Sequence, residues 1–214
     1  MKILKRLIIL SVLFLSSAYG QKPYVDKELI SRINAKYKMF VTKRFINLQK
    51  TLDKAKNKSD EEKLQAINKF YNNLEYMSDL SVYGKTDYWA TPWQFLAQGR
   101  GDCEDYVISK YFALLYLEVD SKKLFFTYVK SSEFKAAHMV LTYFKTPRCE
   151  PLILDNNSHQ ILPASQREDL TPIYNFNGDS LYRANTKTKE GKVTNQKTHK
   201  KWDELKLNMR KKVI

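Results

Sequence analysis

The sequence predicts an α+β protein with an antiparallel sheet, and three observations carry that prediction. Apolar residues recur at helical spacing through the first half of the chain. From Asp120 onward they fall instead into short β-rich runs divided by turn residues. The two patterns follow one another and do not alternate, which separates this chain from proteins built of βαβ units. A length of 214 residues fits one domain with additions at its ends. The 14 Tyr and 11 Phe provide ample material for a core.

The first twenty residues place Lys2, Lys5 and Arg6 before an apolar run from Leu7 to Leu15, then a small-residue Ala18-Tyr19-Gly20 site. This is the pattern of a secretory signal, and the run is shorter than the ~20 residues that span a bilayer. The mature chain is therefore expected to begin near Gln21, with a folded domain over 21–184 and a basic segment over 185–214. From Asp26 to about Asp53, Ile30, Ile33, Tyr37, Val41, Phe45, Leu48 and Leu52 mark one helical face. Ser59 and Glu62 form a capping box that opens a second helix, with Leu64, Ile67, Tyr71 and Leu74 as its buried stripe. Residues 78–101 read as a loop interrupted by Gly84, Thr91-Pro92, Gly99 and Gly101, although they hold Tyr88, Trp89, Trp93 and Phe95. Asp102 then caps a helix from Cys103 to about Glu118 whose apolar residues imply burial on most sides. Strands are predicted over 124–130, 136–144 and 151–155. Residues 164–184 read as loop with an edge strand, and Trp202, Leu205 and Met209 predict a terminal helix docked by one face.

A net charge of +14 would ordinarily point to nucleic acid or an anionic surface. Its distribution removes most of that argument. The leader carries +3 and residues 185–214 carry ten Lys or Arg against three acids, which leaves +4 on residues 21–184. No basic-aromatic RNA motif or zinc-finger spacing accompanies the charge, so no nucleic-acid partner is expected. Weak attachment of the basic segment to anionic lipid is the alternative to a solvated surface.

The two cysteines lie in unlike surroundings. Cys149 sits in the turn Thr146-Pro147-Arg148-Cys149-Glu150-Pro151, whereas Cys103 sits at the first turn of an apolar helix. A single disulfide between them is one reading. The other makes Cys103 a nucleophile, because helix N-terminal N–H groups and the helix dipole favour a thiolate. A nucleophile of this kind needs a histidine base and a group to orient it. Of the three histidines, His159 lies in a turn and His199 in the basic segment, while His138 lies within a strand that would hold its ring. Asp155 ends the next apolar strand, within reach of a neighbouring strand's ring, or is simply a turn former with Asn156 and Asn157.

The runs Trp89-Ala90-Thr91-Pro92, Gly101-Asp102-Cys103-Glu104-Asp105-Tyr106, Ala137-His138-Met139-Val140-Leu141 and Leu154-Asp155-Asn156 resemble, in order and spacing, the bacterial transglutaminase-like cysteine proteases of the LapG type. The resemblance extends from about Tyr88 to Arg183, with Trp93-Gln94 where an acid would be expected. It implies a papain/transglutaminase-like core in which Cys103 is the nucleophile, His138 the base and acid, and Asp155 the orienting residue. It further implies a periplasmic endopeptidase that cuts the N-terminal region of a large surface adhesin, held in check by a membrane-bound receptor responsive to a cyclic dinucleotide. Acyl transfer to an amine, as in a transglutaminase, and a non-catalytic binding module are the alternatives. The family's need for calcium has a physical counterpart here. Asp102, Glu104 and Asp105 crowd negative charge around Cys103, which opposes thiolate formation, and a Ca²⁺ held by hard oxygen ligands would reverse that. The oxyanion would be met by the Cys103 backbone N–H and a second donor, assigned to the Trp89 indole.

Overall fold

The computed structural model describes residues 21–133, 136–177, 180–183, 192–195 and 200–214. The predicted secretory segment lies outside the described residues, as does most of the polar stretch before residue 200. Two layers make the fold: a group of helices from the first half of the chain, and an antiparallel sheet from the second.

The single N-terminal helix predicted from one long stripe is two helices, α1 (Lys27–Lys36) and α2 (Met39–Ala55). The side chain of Asp26 caps α1 by accepting from the Leu29 N–H, and the backbone turns extended at Tyr37 and Lys38. That break lets Leu29 and Ile33 of α1 and Val41, Phe45, Leu48 and Leu52 of α2 enter one core. The capping box of Ser59 and Glu62 opens α3 (Asp60–Tyr71) as predicted, with Leu64, Ile67 and Tyr71 buried.

The stretch read as loop is more ordered than its punctuation implied. It contains β1 (Glu75–Tyr76), α4 (Asp79–Tyr83), α5 (Pro92–Gln98) and β2 (Arg100–Gly101), and β1 and β2 pair in parallel. Thr91 and Gln94 form a capping box around α5 with Pro92 in its first turn, so Gln94 has a local task at the position where an acid was expected. Trp89, Trp93 and Phe95 are buried. Next comes α6 (Cys103–Tyr116), buried on most of its circumference as its composition predicted.

Among the described residues the sheet has seven strands in the order β6-β5-β4-β3-β7-β8-β9, every neighbouring pair antiparallel. These are β3 (Leu124–Ser131), β4 (Ala136–Tyr143), β5 (Leu152–Leu154), β6 (Leu162–Pro163), β7 (Leu170–Asn177), β8 (Ser180–Arg183) and β9 (Lys192–Asn195). The segment read as loop with an edge strand supplies β7, which lies inside the sheet against β3. Pro172 hid it. A proline cannot donate to a ladder, and here it stands opposite Val129 at the register shift that absorbs it.

Helix α6 packs against β4 and α3. The final helix, α7 (Lys200–Arg210), docks through Trp202 and Leu205, both buried. The Trp202 ring meets Tyr111 and Phe112 of α6, Phe126 of β3 and Phe176 of β7 at centroid distances of 5.8, 5.9, 5.1 and 6.1 Å. The basic C-terminal segment thus ends in a piece of the core. Among the described residues no helix is long and apolar enough to cross a membrane.

Candidate active site

Cys103 is the first residue of α6, and Asp102 before it adopts the extended backbone of an N-cap. The thiol is buried, and its Sγ donates to Glu104 Oε2 at 2.8 Å. The backbone N–H of Met139 also bonds to the sulfur, which sets Cys103 against the segment of β4 that carries His138. Both cysteines are free thiols, Cys103 buried and Cys149 exposed, so no disulfide joins them.

His138 is held in β4 opposite Val129 of β3, and Asp155 follows the last residue of β5. His138 Nε2 lies 2.8 Å from Asp155 Oδ1. With the carboxylate ionised, that contact places the ring proton on Nε2 and leaves Nδ1 as the proton acceptor. Asp155 is fully buried, yet each of its oxygens is served. Oδ1 also accepts from the Asn157 N–H at 3.0 Å, and Oδ2 accepts from Arg167 Nη2 at 2.7 Å. Asn72, just past α3, donates to the Asp155 and Ser158 carbonyls at 2.7 and 2.9 Å and ties the turn to the helical layer. Burial pushes the Asp155 carboxyl up. The His138 contact, the Asn157 N–H and the Arg167 guanidinium outweigh it and hold the group well below the usual carboxylate range.

The acids around Cys103 divide into two sets. Asp102 and Asp105 converge with Asp79, the first residue of α4, with one ligand atom from each within 4.8 Å of the others. Asp79 Oδ2 accepts from the Tyr88 N–H at 2.5 Å and Asp105 Oδ1 from the Ala90 N–H at 3.0 Å. Asp79 Oδ1, Asp102 Oδ1 and Asp105 Oδ2 are buried without a hydrogen-bond partner. Three carboxylates this close together, each with one buried oxygen left without a partner, are the donor set of a hard cation, so these residues fit Ca²⁺. Glu104 is not in this cluster, because its carboxylate accepts from the Cys103 thiol. Asp79, absent from the sequence reading, takes its place. A Cβ at Gly101 would collide with Asp105 Oδ2 and the Phe95 ring, so the backbone must come this close to the cluster bare.

Burial first, then the charges of Glu104, Asp105 and Asp79, push Asp102 up to about 9. Asp105 and Asp79 are also raised, chiefly by burial. Burial, followed by the charges of Glu104 and Asp102, drives the Cys103 thiol well above its ordinary value, against the pull of the Met139 N–H. Two further buried groups lie near the site, and of these Lys110 had no place in the sequence reading while Trp89 stood there as the second oxyanion donor. Lys110, two turns along α6 from Cys103, is fully buried with no hydrogen-bond partner for Nζ, which lies 5.9 Å from the Tyr106 ring centroid, and burial draws it down to about 7 while Asp155 opposes. Trp89 is buried, its ring stacked on Phe176 at 5.9 Å with Lys201 Nζ 5.8 Å from the ring centroid.

Residues 35–171 match the family model of the bacterial transglutaminase-like cysteine proteinases. The chain belongs to that family. Solved structures agree. The calcium-bound LapG of Legionella pneumophila is 39% identical, covering 85% of this chain and 98% of its own, with a TM-score of 0.74. The EGTA-treated form of the same protein is 38% identical, covering 85% of this chain and 96% of its own, with a TM-score of 0.73. No curated protein matches the chain significantly. The fold is thus that of a LapG-like transglutaminase-type cysteine protease, mixed helices on an antiparallel sheet as the sequence predicted.

Proposed function

We propose that this member of the cysteine proteinase family is a calcium-dependent endopeptidase working through Cys103, His138 and Asp155. One observation carries the reading: a buried 2.8 Å contact between His138 Nε2 and Asp155 Oδ1, with His138 on the strand packed against the helix that begins with Cys103. Asp155 fixes the ring so that Nδ1 takes the thiol proton. The thiolate attacks a substrate carbonyl, and the tetrahedral oxyanion is met by the Cys103 backbone N–H and the indole of Trp89, whose plane is set by Phe176. His138 returns its proton to the leaving amine, and a water activated by the same ring hydrolyses the thioester.

Asp79, Asp102 and Asp105 would hold Ca²⁺, in keeping with the calcium-bound Legionella relative. When bound, the ion supplies positive charge that offsets the acids beside the thiol. The substrate in this reading is the N-terminal region of a large surface adhesin, cut to release cells from a biofilm. The enzyme would act in the periplasm, delivered by the segment 1–20, and an inner-membrane receptor responsive to a cyclic dinucleotide would sequester it. Kinship with LapG supports these assignments.

The test is cleavage of an adhesin's N-terminal fragment by residues 21–214, with Ca²⁺, with a chelator, and as Cys103→Ala. Cleavage should vanish in both controls. Persistence in chelator would remove the metal from the proposal, and persistence in Cys103→Ala would remove the nucleophile. Incorporation of a labelled amine at the cut site would redirect the reading to acyl transfer.

A further inference from the structure

We propose that Arg167 is a positioning residue for the catalytic pair, fixing the Asp155 carboxylate so that Oδ1 faces His138. The inference rests on the protease reading above and adds a fourth side chain to its machinery. Arg167 follows the short 3-10 turn Ala164–Gln166 and precedes β7, in a stretch where no motif of the sequence pointed to it. Its side chain is only 10% exposed.

The guanidinium is itself held before it reaches Asp155. Nε and Nη2 donate to Asp169 Oδ1 and Oδ2 at 2.8 and 2.7 Å, a two-pronged pair of the kind a planar fork makes with a carboxylate. The backbone between them is closed by the Leu170 N–H on the Arg167 carbonyl at 3.1 Å. It is anchored to the end of β3 by the Ser132 N–H on the Asp169 carbonyl at 2.9 Å. From this fixed platform Nη2 reaches Asp155 Oδ2 at 2.7 Å. Without it, that buried oxygen would lose its cationic donor, and the carboxylate could rotate or share both oxygens with the ring.

Charge explains why the device is a pair. The charged and titratable groups facing Asp155 among the described residues are His138 from β4, Arg167, Asp169 and, through space, Lys110 from α6. An uncompensated arginine would neutralise Asp155 and weaken its support for an imidazolium. Asp169 supplies the balancing charge, so the Arg167–Asp169 couple orients Asp155 while leaving its negative charge available to His138.

The two halves of the couple should therefore shift the pH profile in opposite directions. In the calcium-loaded enzyme, Arg167→Gln should lower kcat by about 10- to 100-fold with KM within about threefold, the range for a lost orienting interaction. It should also move the alkaline limb of kcat/KM upward, by up to about one pH unit, since the lost charge reaches His138 through the intervening Asp155 carboxylate. Asp169→Asn should move that limb downward, and Arg167→Lys should restore the limb but only part of kcat. A purely structural arginine would lower the melting temperature and leave both limbs in place, and that result overturns the proposal. If Arg167→Gln does not fold, Asp169→Asn and Arg167→Lys decide the question alone. A readout free of substrate is the low-field imidazole N–H proton of His138, assigned by its loss in His138→Ala. The signal should weaken or shift in Arg167→Gln, and an unchanged signal counts against the proposal. A parent protein that cuts nothing would sink the protease reading while leaving this spectrum to judge Arg167.

Discussion

Replacing Asp102 with asparagine separates what the acid does with calcium from what it does without. Its carboxyl is pushed up to about 9, so in the cation-free protein at pH 7 it carries a proton. Calcium must displace that proton, and about two pH units of displacement lower the affinity at pH 7 by about 100-fold, or ~3 kcal/mol. The dissociation constant should therefore fall at least tenfold for each pH unit between about 6 and 8, and further if Asp105 or Asp79 also gives up a proton. Titration calorimetry in two buffers of different ionisation enthalpy counts the protons, and about one or more should leave per ion. In Asp102→Asn the count should drop by about one and calcium should bind far more weakly. The cation-free melting temperature should hardly move, since an amide replaces a neutral acid and Asp102 makes no side-chain cap bond. Because the folded-state value lies above the unfolded one, Asp102 costs the cation-free protein stability as pH rises from about 4 to about 9. Calcium should offset that decline. Binding without proton release, or an asparagine variant that binds as tightly as its parent, would refute the reasoning.

Gly101→Ala pushes a methyl group into Asp105 Oδ2 and the Phe95 ring, and should cost about 1 to 3 kcal/mol while weakening calcium binding, read by thermal melts with and without the ion. Trp202→Ala removes the ring shared by α6, β3 and β7 and should cost about 3 to 5 kcal/mol by denaturant titration, whereas trimming the exposed Leu207 should cost under about 0.5. Lys110→Met should stabilise the protein below about pH 10, most fully at and below pH 7. The buried amine's value lies near 7 against 10.5 unfolded, so its penalty is absent above about 10.5, grows as pH falls toward 7, and reaches ~5 kcal/mol at most. Chemical denaturation at pH 6 and pH 10 should show nearly the whole gain at the lower pH and under about 1 kcal/mol at the higher.

The placement of Cys103, His138 and Asp155, the residues proposed here as nucleophile, base and orienting acid, was legible because each had a distinct local setting: a helix start, a strand interior and a strand end. The cation cluster was half legible, and helical geometry explains which half. Asp102 and Asp105 stand three residues apart and turn toward the same side, while Glu104 projects about 100° away from Cys103's own direction and meets the thiol. Asp79 could not be found by spacing. It is carried to the cluster by α4 and by the chain that returns through Tyr88, whose N–H holds it. An acid followed by a short apolar turn, within a loop rich in buried aromatics, was the available signal. Strand β7 was hidden by Pro172, and α5 by a capping box read only as loop punctuation. Arg167 had no signal at all, because its meaning depends on Asp155 and Asp169 arriving from either side of it.

The docking of α7 has a temporal consequence. Trp202 closes a cluster whose other members come from residues 111, 112, 126 and 176, so the helix that begins with Cys103 gains its last packing partner from the final fifteen residues of the chain. A chain synthesised from its N-terminus presents Cys103, His138 and Asp155 before that plug arrives. A partly made chain then holds all three residues with its core unsealed, and the core can close only once the last fifteen residues are free to pack.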